Sequence, residues 1–269
     1  MGMRKVLIPL GVVVLAIAAA AVGGRGEVAA AAPAGCAKAN LDLVKDGQLS
    51  IGTDNPAYPP WFAGGETKGR PWKINDPAKG RGFESAVAYA VARRLGFTKN
   101  QVNWVYTPFN KAIAPGKKSF DFDINQISYS PQRAKVVGFS QGYYDVNQSI
   151  VGLKGKPISS VRSKNGLKKY RLGAQLGTTS YQYIVNSIKP SPSVKVYDTN
   201  DAAVQVPNGK IIGQFQAASG QERFGMVFRK GNPLIACVNN ALANMKRTGV
   251  LKRIQQIWLA KVTGAPVLK

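Results

Sequence analysis

The chain has 269 residues, 45% of them apolar, which is enough to build a core for one large domain or two small ones and too much for disorder. It carries 37 Lys and Arg against 13 Asp and Glu, a formal charge of +24, but the bases are scattered (Lys68, Arg94, Lys117, Lys168, Lys210 and Arg253 among them), so no nucleic-acid partner is expected. Histidine is absent, which excludes histidine triads, general bases and metal ligands, and two cysteines alone cannot close a structural zinc site.

At the N-terminus, Arg4 and Lys5 precede an apolar stretch from Val6 to Val22 and then Ala32-Pro33-Ala34, the pattern of a secretory signal peptide. Residues 1–35 are assigned to it; the stretch is also long enough for an uncleaved anchor. No later segment is apolar enough to span a bilayer, so the mature chain is expected to be exported, to the periplasm or the outer face of the envelope, where its basic field would attract anionic surfaces. An even cysteine count in an oxidising compartment favours a disulfide between Cys36 and Cys237. The alternatives are a lipid anchor at Cys36, since Ala34-Gly35-Cys36 fits the end of a lipobox although Pro33 stands in place of leucine, or two buried free thiols.

Gln48 to Thr53 alternates and is β-branched enough for a strand, ending in the stiff loop Asp54-Asn55-Pro56-Ala57-Tyr58-Pro59-Pro60-Trp61. From Gly82 to Phe97 the apolar positions Phe83, Val87, Val91 and Leu95 predict an amphipathic helix closed by Gly96. Gln101 to Tyr106 is a second strand, followed by a short helix around Lys111, and Phe120 to Ile124 is a third. Ser130-Pro131 then starts a helix, the serine capping free N–H groups and the proline taking the first position. Beyond the strand Ser149 to Leu153 the scheme repeats: the strand Leu172 to Leu176, a turn at Gly177, and a helix begun by Thr178-Thr179-Ser180 and running to Ile188. Lys210 to Phe215 and Gly225 to Phe228 are strands, and Leu234 to Met245 and Val250 to Leu259 are helices. Alternating strands and helices imply an open α/β sheet whose ligands sit beyond the carboxyl ends of the strands.

Two hydroxyl-rich strand-to-helix junctions suggest a cleft that closes on an anion. Arg133, in the first turn after Ser130, is the strongest candidate, because a guanidinium grips a carboxylate with two parallel hydrogen bonds; a surface arginine is the bland alternative. Tyr58, Trp61 and Phe109 follow strands and serve either as a lid or as core edges. Asp121 and Asp123 share a strand face, which allows an acid/base pair, although one ending a hydrogen-bond network and the other solvated is the plainer reading.

Taken together, IGTDNPAYPPW (51–61), GFESAVAYAVARRLGF, YTPFNKAI (106–113), FDFDINQISYSPQRAKVVGFSQGYY (120–144), QLGTTSYQYI (175–184) and the tail from GMVFRKGNPL to IQQIWL resemble the extracellular solute-binding proteins of polar amino-acid ABC importers. The resemblance implies an α/β, two-lobed periplasmic-binding-protein fold (type II) joined by two hinge strands, near Ser149 to Gly152 and Gly225 to Phe228. Lobe one would be 36–149 and 227–269, lobe two 150–226, and both cysteines would fall in lobe one. It implies a monomeric, cofactor-free, non-enzymatic protein that binds an amino acid and delivers it to a membrane permease.

By the same likeness, Tyr58 and Phe109 match aromatics that sandwich the ligand side chain and Asp54 the acid at the end of the first strand. Gln126 and Ser128 match contacts to the amino and carboxylate groups, with Asn125 and Ser130 in the same turn. Arg133 matches the carboxylate-binding arginine, and Thr178 and Thr179 the second lobe's contact to that carboxylate. The sequence departs from the family after Gln205, where a strand, its ammonium-binding aspartate and a helix, roughly 20 residues at ordinary element lengths, have no room. Lobe two is therefore expected to be shortened, with an exposed sheet edge. Two rival readings follow: a degenerate cleft in a basic envelope-associated protein, and a periplasmic dehydratase using Asp54 or Glu84 as general acid.

Overall fold

The structure, a computed structural model, describes residues 35–199, 209–215 and 222–259 and the backbone of 267–268. Nearly all of the expected signal peptide, and the shortened connection after Gln205, lie outside the described residues.

The first lobe opens with β1 (Leu49–Thr53), buried at every position as a strand covered on both faces must be. Helix α1 (Phe83–Arg94) follows, turning Phe83, Val87 and Val91 inward, with Arg93 and Arg94 in its last turn, where cations suit the helix dipole. Then come β2 (Val102–Tyr106), α2 (Phe109–Ala112), β3 (Phe122–Asp123), α3 (Pro131–Val136) and β4 (Val137–Phe139). The chain continues through β5 (Tyr144–Val146), β6 (Ser149–Leu153), α4 (Lys164–Leu167), β7 (Gly173–Gln175), α5 (Thr179–Tyr183) and β8 (Lys195–Tyr197). It returns by β9 (Gly209–Phe215), β10 (Glu222–Phe224) and β11 (Val227–Arg229) to α6 (Leu234–Arg247), α7 (Val250–Leu259) and β12 (Val267–Leu268).

Among the described residues one sheet has the order β2-β1-β3-β11-β4, with β2, β1 and β3 parallel. Their carboxyl ends therefore leave the sheet at one edge, and Asp54, Phe109 and Asn125 follow there. Helices α6 and α7 come back to α1, so residues from both parts of the chain share a core that includes Phe83, Phe122, Phe228, Leu242 and Leu259. Cys36 and Cys237 are bonded to each other across 201 residues of sequence, with Cα atoms 5.4 Å apart. The sulfur that a lipid would need is thereby engaged.

The crossing strands are β5 and β10, which pair antiparallel. They lie a few residues before the hinges expected from sequence: Ser149–Leu153 is already paired with β9, and Val227–Arg229 with β4. Trp61 fixes the crossing, packing edge-on against Tyr144 and Phe224 at 5.6 and 5.7 Å.

Lobe two holds two separate ladders, β12-β9-β6 and β7-β8. In lobe one, β3 joins the β2-β1 pair to the strands that enter and leave the lobe. The corresponding place in lobe two, between β7 and β6, holds no strand among the described residues. A cavity of about 350 Å³ lies there, lined by Ser149, Ile150 and Val151 on one side and Leu172, Gly173 and Ala174 on the other. Among the described residues, the edges of β6 and β7 that face this cavity have no strand partner.

Beneath the first sheet's edge sits a buried carboxyl, Glu84, at the start of α1. It accepts hydrogen bonds from the backbone N–H of Gln126 (2.8 Å), the Gln126 side-chain amide and the Tyr143 hydroxyl. Burial outweighs these bonds and pushes its pKa from the ordinary 4.5 up to about 7. Between those values the unfolded chain has released the proton and the folded chain keeps it, so stability falls as pH rises through that window. This one group accounts for about 3 kcal/mol across it. Asp121 and Asp123, also raised by burial, act in the same direction.

Urea unfolding at pH 5 and pH 8 should therefore find the protein more stable at pH 5, and Glu84→Gln should reduce that difference; an unchanged pH dependence in the variant would remove Glu84 as its source. Replacing both cysteines by serine should cost about 2–4 kcal/mol in the same assay. Thiol labelling of the oxidised wild type should find no reactive cysteine.

Candidate functional site

The turn between β3 and α3 is held from below and from the side. Ile124 and Ile127 are fully buried and anchor it, leaving Asn125, Gln126 and Ser128 toward the cleft. Its backbone is stitched to β10 and the residue that follows it: Tyr129 N–H donates to the Arg223 carbonyl (3.0 Å) and Gly225 N–H to the Ile127 carbonyl (3.0 Å). Gln126 has φ +48°, a left-handed conformation uncommon outside glycine, and its N–H is the group that Glu84 accepts.

Ser130 ends the turn by capping α3, its Oγ accepting from the Arg133 N–H at 3.2 Å, with Pro131 in the first helical position as the sequence predicts. The cap projects Arg133 across the cleft. Its Nη1 donates to the Ser128 carbonyl (2.6 Å) and its Nη2 to the Gly177 carbonyl of lobe two (2.8 Å), while the guanidinium lies over the Phe109 ring, 5.4 Å from its centroid. Two of the five guanidinium N–H groups are accounted for by these bonds, and the fork retains donors for an anion. Burial lowers the Arg133 pKa and the charge of Glu222 opposes that shift. Gly177 has φ +80°, and a Cβ there would come within 3.1 Å of Asn110 Oδ1, so glycine permits this approach of the lobes.

From lobe two, Thr178 caps α5: its Oγ1 donates to the Gln175 carbonyl (2.7 Å) and accepts from the Tyr181 N–H (3.1 Å). Thr179 Oγ1 donates to Glu222 Oε1 (2.7 Å) and stands 3.5 Å from Ser128 Oγ. Glu222 Oε2 accepts from Gln148 Nε2 at 2.7 Å, and Gln148 Oε1 accepts from Ser180 Oγ at 2.7 Å. The crossing strands and the start of α5 are thus joined by side chains.

These groups surround a cavity of about 290 Å³ whose lining includes Asp54, Phe109, Asn125, Gln126, Ser128, Arg133, Thr178, Thr179 and Glu222. A second cavity of about 130 Å³ shares Asp54, Asn125 and Gln126 with it and continues past Tyr58, Tyr106, Asn110, Gln175 and Asp198. Asn125 Nδ2 is buried without a hydrogen-bond partner among the described residues. In a chain of net charge +24, these linings set Asp54, Asp198 and Glu222 against the single base Arg133.

Eight of the ten predicted ligand residues therefore line one cavity. Tyr58 lines the neighbouring one, away from Phe109, whose face Arg133 occupies, and Ser130 lines neither because its hydroxyl is spent as a cap. Trp61 belongs to the core packing around β5 and β10. The expectation that one of Asp121 and Asp123 is solvated is corrected: both are buried, and Asp121 accepts from the Val44 and Ser50 N–H groups. Glu84 lies under Gln126 and lines neither cavity. Sequence reading missed Glu222, Gln148 and Asp198. Asp198, just past β8, and Glu222, at the start of β10, offered only their acidity in an acid-poor chain, a signal that a solvated loop gives equally well, and the neutral Gln148 offered none.

The profile of the bacterial extracellular solute-binding proteins, family 3, matches residues 49–261. Among curated proteins, the L-cystine-binding protein TcyJ of Escherichia coli (strain K12) is 27% identical over 254 residues, covering 85% of this chain and 88% of TcyJ. The arginine-binding extracellular protein ArtP of Bacillus subtilis (strain 168) is 26% identical over 66% of this chain and 77% of its own length. Among solved structures, an ancestral arginine-binding protein bound to glutamine superposes with a TM-score of 0.64 at 28% identity, covering 80% of this chain and 99% of that one. The fold is accordingly the two-lobed one of periplasmic amino-acid-binding proteins, and the chain belongs to the bacterial extracellular solute-binding proteins, family 3.

Proposed function

We propose that the protein binds an α-amino acid between its lobes, outside the cytoplasm, and presents it without chemical change to the permease of an ABC importer. The observation that carries this reading is Arg133, held over Phe109 and reaching from lobe one to the Gly177 carbonyl of lobe two, in a cavity lined by both lobes. A guanidinium so placed suits a carboxylate, and a ligand that touches groups from both lobes binds the closed form better than the open one, which is what drives closure. Cystine and arginine, named for the relatives, and glutamine, named with the similar structure, are all α-amino acids.

In this reading Arg133 takes the carboxylate with the backbone N–H of Thr179, whose hydroxyl is given to Glu222, Thr178 sets the turn that presents Thr179, and Asn125, Gln126 and Ser128 supply further polar contacts. The side chain extends into the second cavity, past Tyr58 and toward Asp54 and Asp198. Two acids with amide and phenol groups suit a cationic or hydrogen-bonding end and disfavour a second carboxylate. The protein's overall positive field draws anions from a distance, but contact chemistry in the cleft decides which ligand stays.

A thermal-shift panel of the twenty standard L-amino acids and L-cystine should raise the melting temperature with arginine, histidine, glutamine or cystine more than with aspartate or glutamate. At a hundred times its dissociation constant a ligand adds about 2.7 kcal/mol, a readily measured shift. No shift with any of them would overturn the function. Arg133→Ala should weaken the best ligand by at least about 2 kcal/mol, and Arg133→Lys should restore little of it, because lysine lacks the planar fork. Unchanged affinity in Arg133→Ala would remove the residue from the site.

A further inference from the structure

An α-amino acid brings an ammonium as well as a carboxylate, and the two groups are separated by one carbon. The host for the ammonium must therefore be an acceptor beside the host for the carboxylate. We propose that this acceptor is Glu222, so that the ligand's α-ammonium is bound by the returning crossing strand and not by the body of lobe two. The inference rests on the amino-acid reading given above and deepens it.

Three observations support it. Glu222 lines the same cavity as Arg133 and accepts a hydrogen bond from Thr179 Oγ1 (2.7 Å), which itself stands 3.5 Å from Ser128 Oγ, so its carboxylate is adjacent to the turn that carries Ser128. Each of its oxygens accepts one hydrogen bond, from Thr179 and from Gln148, and a carboxylate has room for about four. The remaining lone pairs provide acceptors for an ammonium. Thirdly, the other acid of this cavity, Asp54, also lines the second cavity, and one of its oxygens accepts from the Asn55 N–H at 2.8 Å. That position suits the far end of a ligand side chain better than its α-carbon.

The arrangement also balances charge: Arg133 and Glu222 face a zwitterion with opposite signs. Because Glu222 belongs to β10, which is paired with β5, its carboxylate is carried by the element that links the lobes, and Arg133 by α3 of lobe one. A zwitterion held by both would tie lobe one to the crossing strands.

The test uses Glu222→Gln, which keeps the shape and both hydrogen-bonding partners in reach, with Glu222→Asp as a second variant that keeps the charge on a shorter arm. Dissociation constants would be measured by calorimetry for wild type and variants. The probes are the twenty standard L-amino acids and L-cystine, and, for the tightest binder, the same molecule with hydrogen in place of its α-amino group. Melting curves without ligand check that each variant folds. The expected result is a loss of about 30-fold or more for the amino acid in Glu222→Gln, a smaller loss in Glu222→Asp, and little change in the affinity of the des-amino analogue, which has no ammonium to lose. Equal affinity of wild type and Glu222→Gln for the amino acid overturns the assignment and leaves the amino-acid reading intact. Equal losses for the amino acid and its des-amino analogue also overturn it, because Glu222 would then act only by positioning Thr179 and Gln148. If wild type binds no amino acid, the amino-acid reading fails and this inference with it.

Discussion

One buried carboxyl organises both the binding turn and the passage between the lobes. Glu84 accepts from the Gln126 backbone and from the Tyr143 hydroxyl, so the first turn of α1 holds the site's loop and the residue immediately before β5 in the same grip. The Gln126 conformation is an unfavourable one for a residue with a side chain, and a fixed partner for its N–H keeps the loop in it. From that point the order of the site is set by chain geometry: Ser128 faces the cleft, Ser130 caps α3, and the cap aims Arg133. The cost is a carboxyl taken out of water, visible in its raised pKa, and Tyr143 beside it is pushed up for the same reason.

Charge works at two ranges in this molecule. The net charge of +24 sets the long-range field, which is screened within about 8 Å at physiological salt. Inside the cleft the balance reverses, with Asp54, Asp198 and Glu222 facing one arginine. A strongly basic protein can therefore have a site suited to a zwitterion or a cation. Composition predicts how the protein meets a surface, and the cleft predicts what it holds.

Much of this was legible in the amino-acid sequence because the relevant signals are local. The Ser130-Pro131 helix start, the amphipathic face of α1 and the glycine at 177 each follow from the chemistry of a few adjacent residues, and the structure has them where expected. The crossing strands were placed a few residues late because they are three residues each and are selected by a partner about 75 residues away, a relation no local pattern carries. From sequence Glu84 read only as a candidate general acid, and its burial is invisible there because it depends on Tyr143 and Gln126 arriving from elsewhere. Glu222 was missed for the same reason. Tyr58 and Phe109 were paired by likeness, but Arg133 covers Phe109 here and leaves Tyr58 in the adjoining cavity.

The split sheet of lobe two changes what holds that lobe's half of the site in place. In lobe one, β3 connects the β2-β1 pair to β11 through backbone ladders, so the loops of the site rest on one continuous sheet. In lobe two, α5 follows β7, and β7 is paired only with β8 among the described residues, while the chain from the crossing leads into the separate ladder of β6. The core beneath is also small, built around Val161, Leu167, Leu172, Ala174, Ile184, Ile188 and Phe215. What ties α5 to the crossing strands is the set of side-chain bonds Glu222 to Thr179, Gln148 to Glu222 and Ser180 to Gln148. Side-chain bonds of this kind are worth about 1 kcal/mol each, or somewhat more where a charge takes part, far less than a strand ladder with its packed faces. A ligand bridging Arg133, Thr179 and Glu222 would therefore add a connection at a place where, among the described residues, no backbone ladder runs, and its binding energy would go partly into ordering lobe two. Affinity and the stability of that lobe would in this way be coupled: whatever loosens α5 from the crossing strands would weaken the site, and whatever fills the site would hold them together.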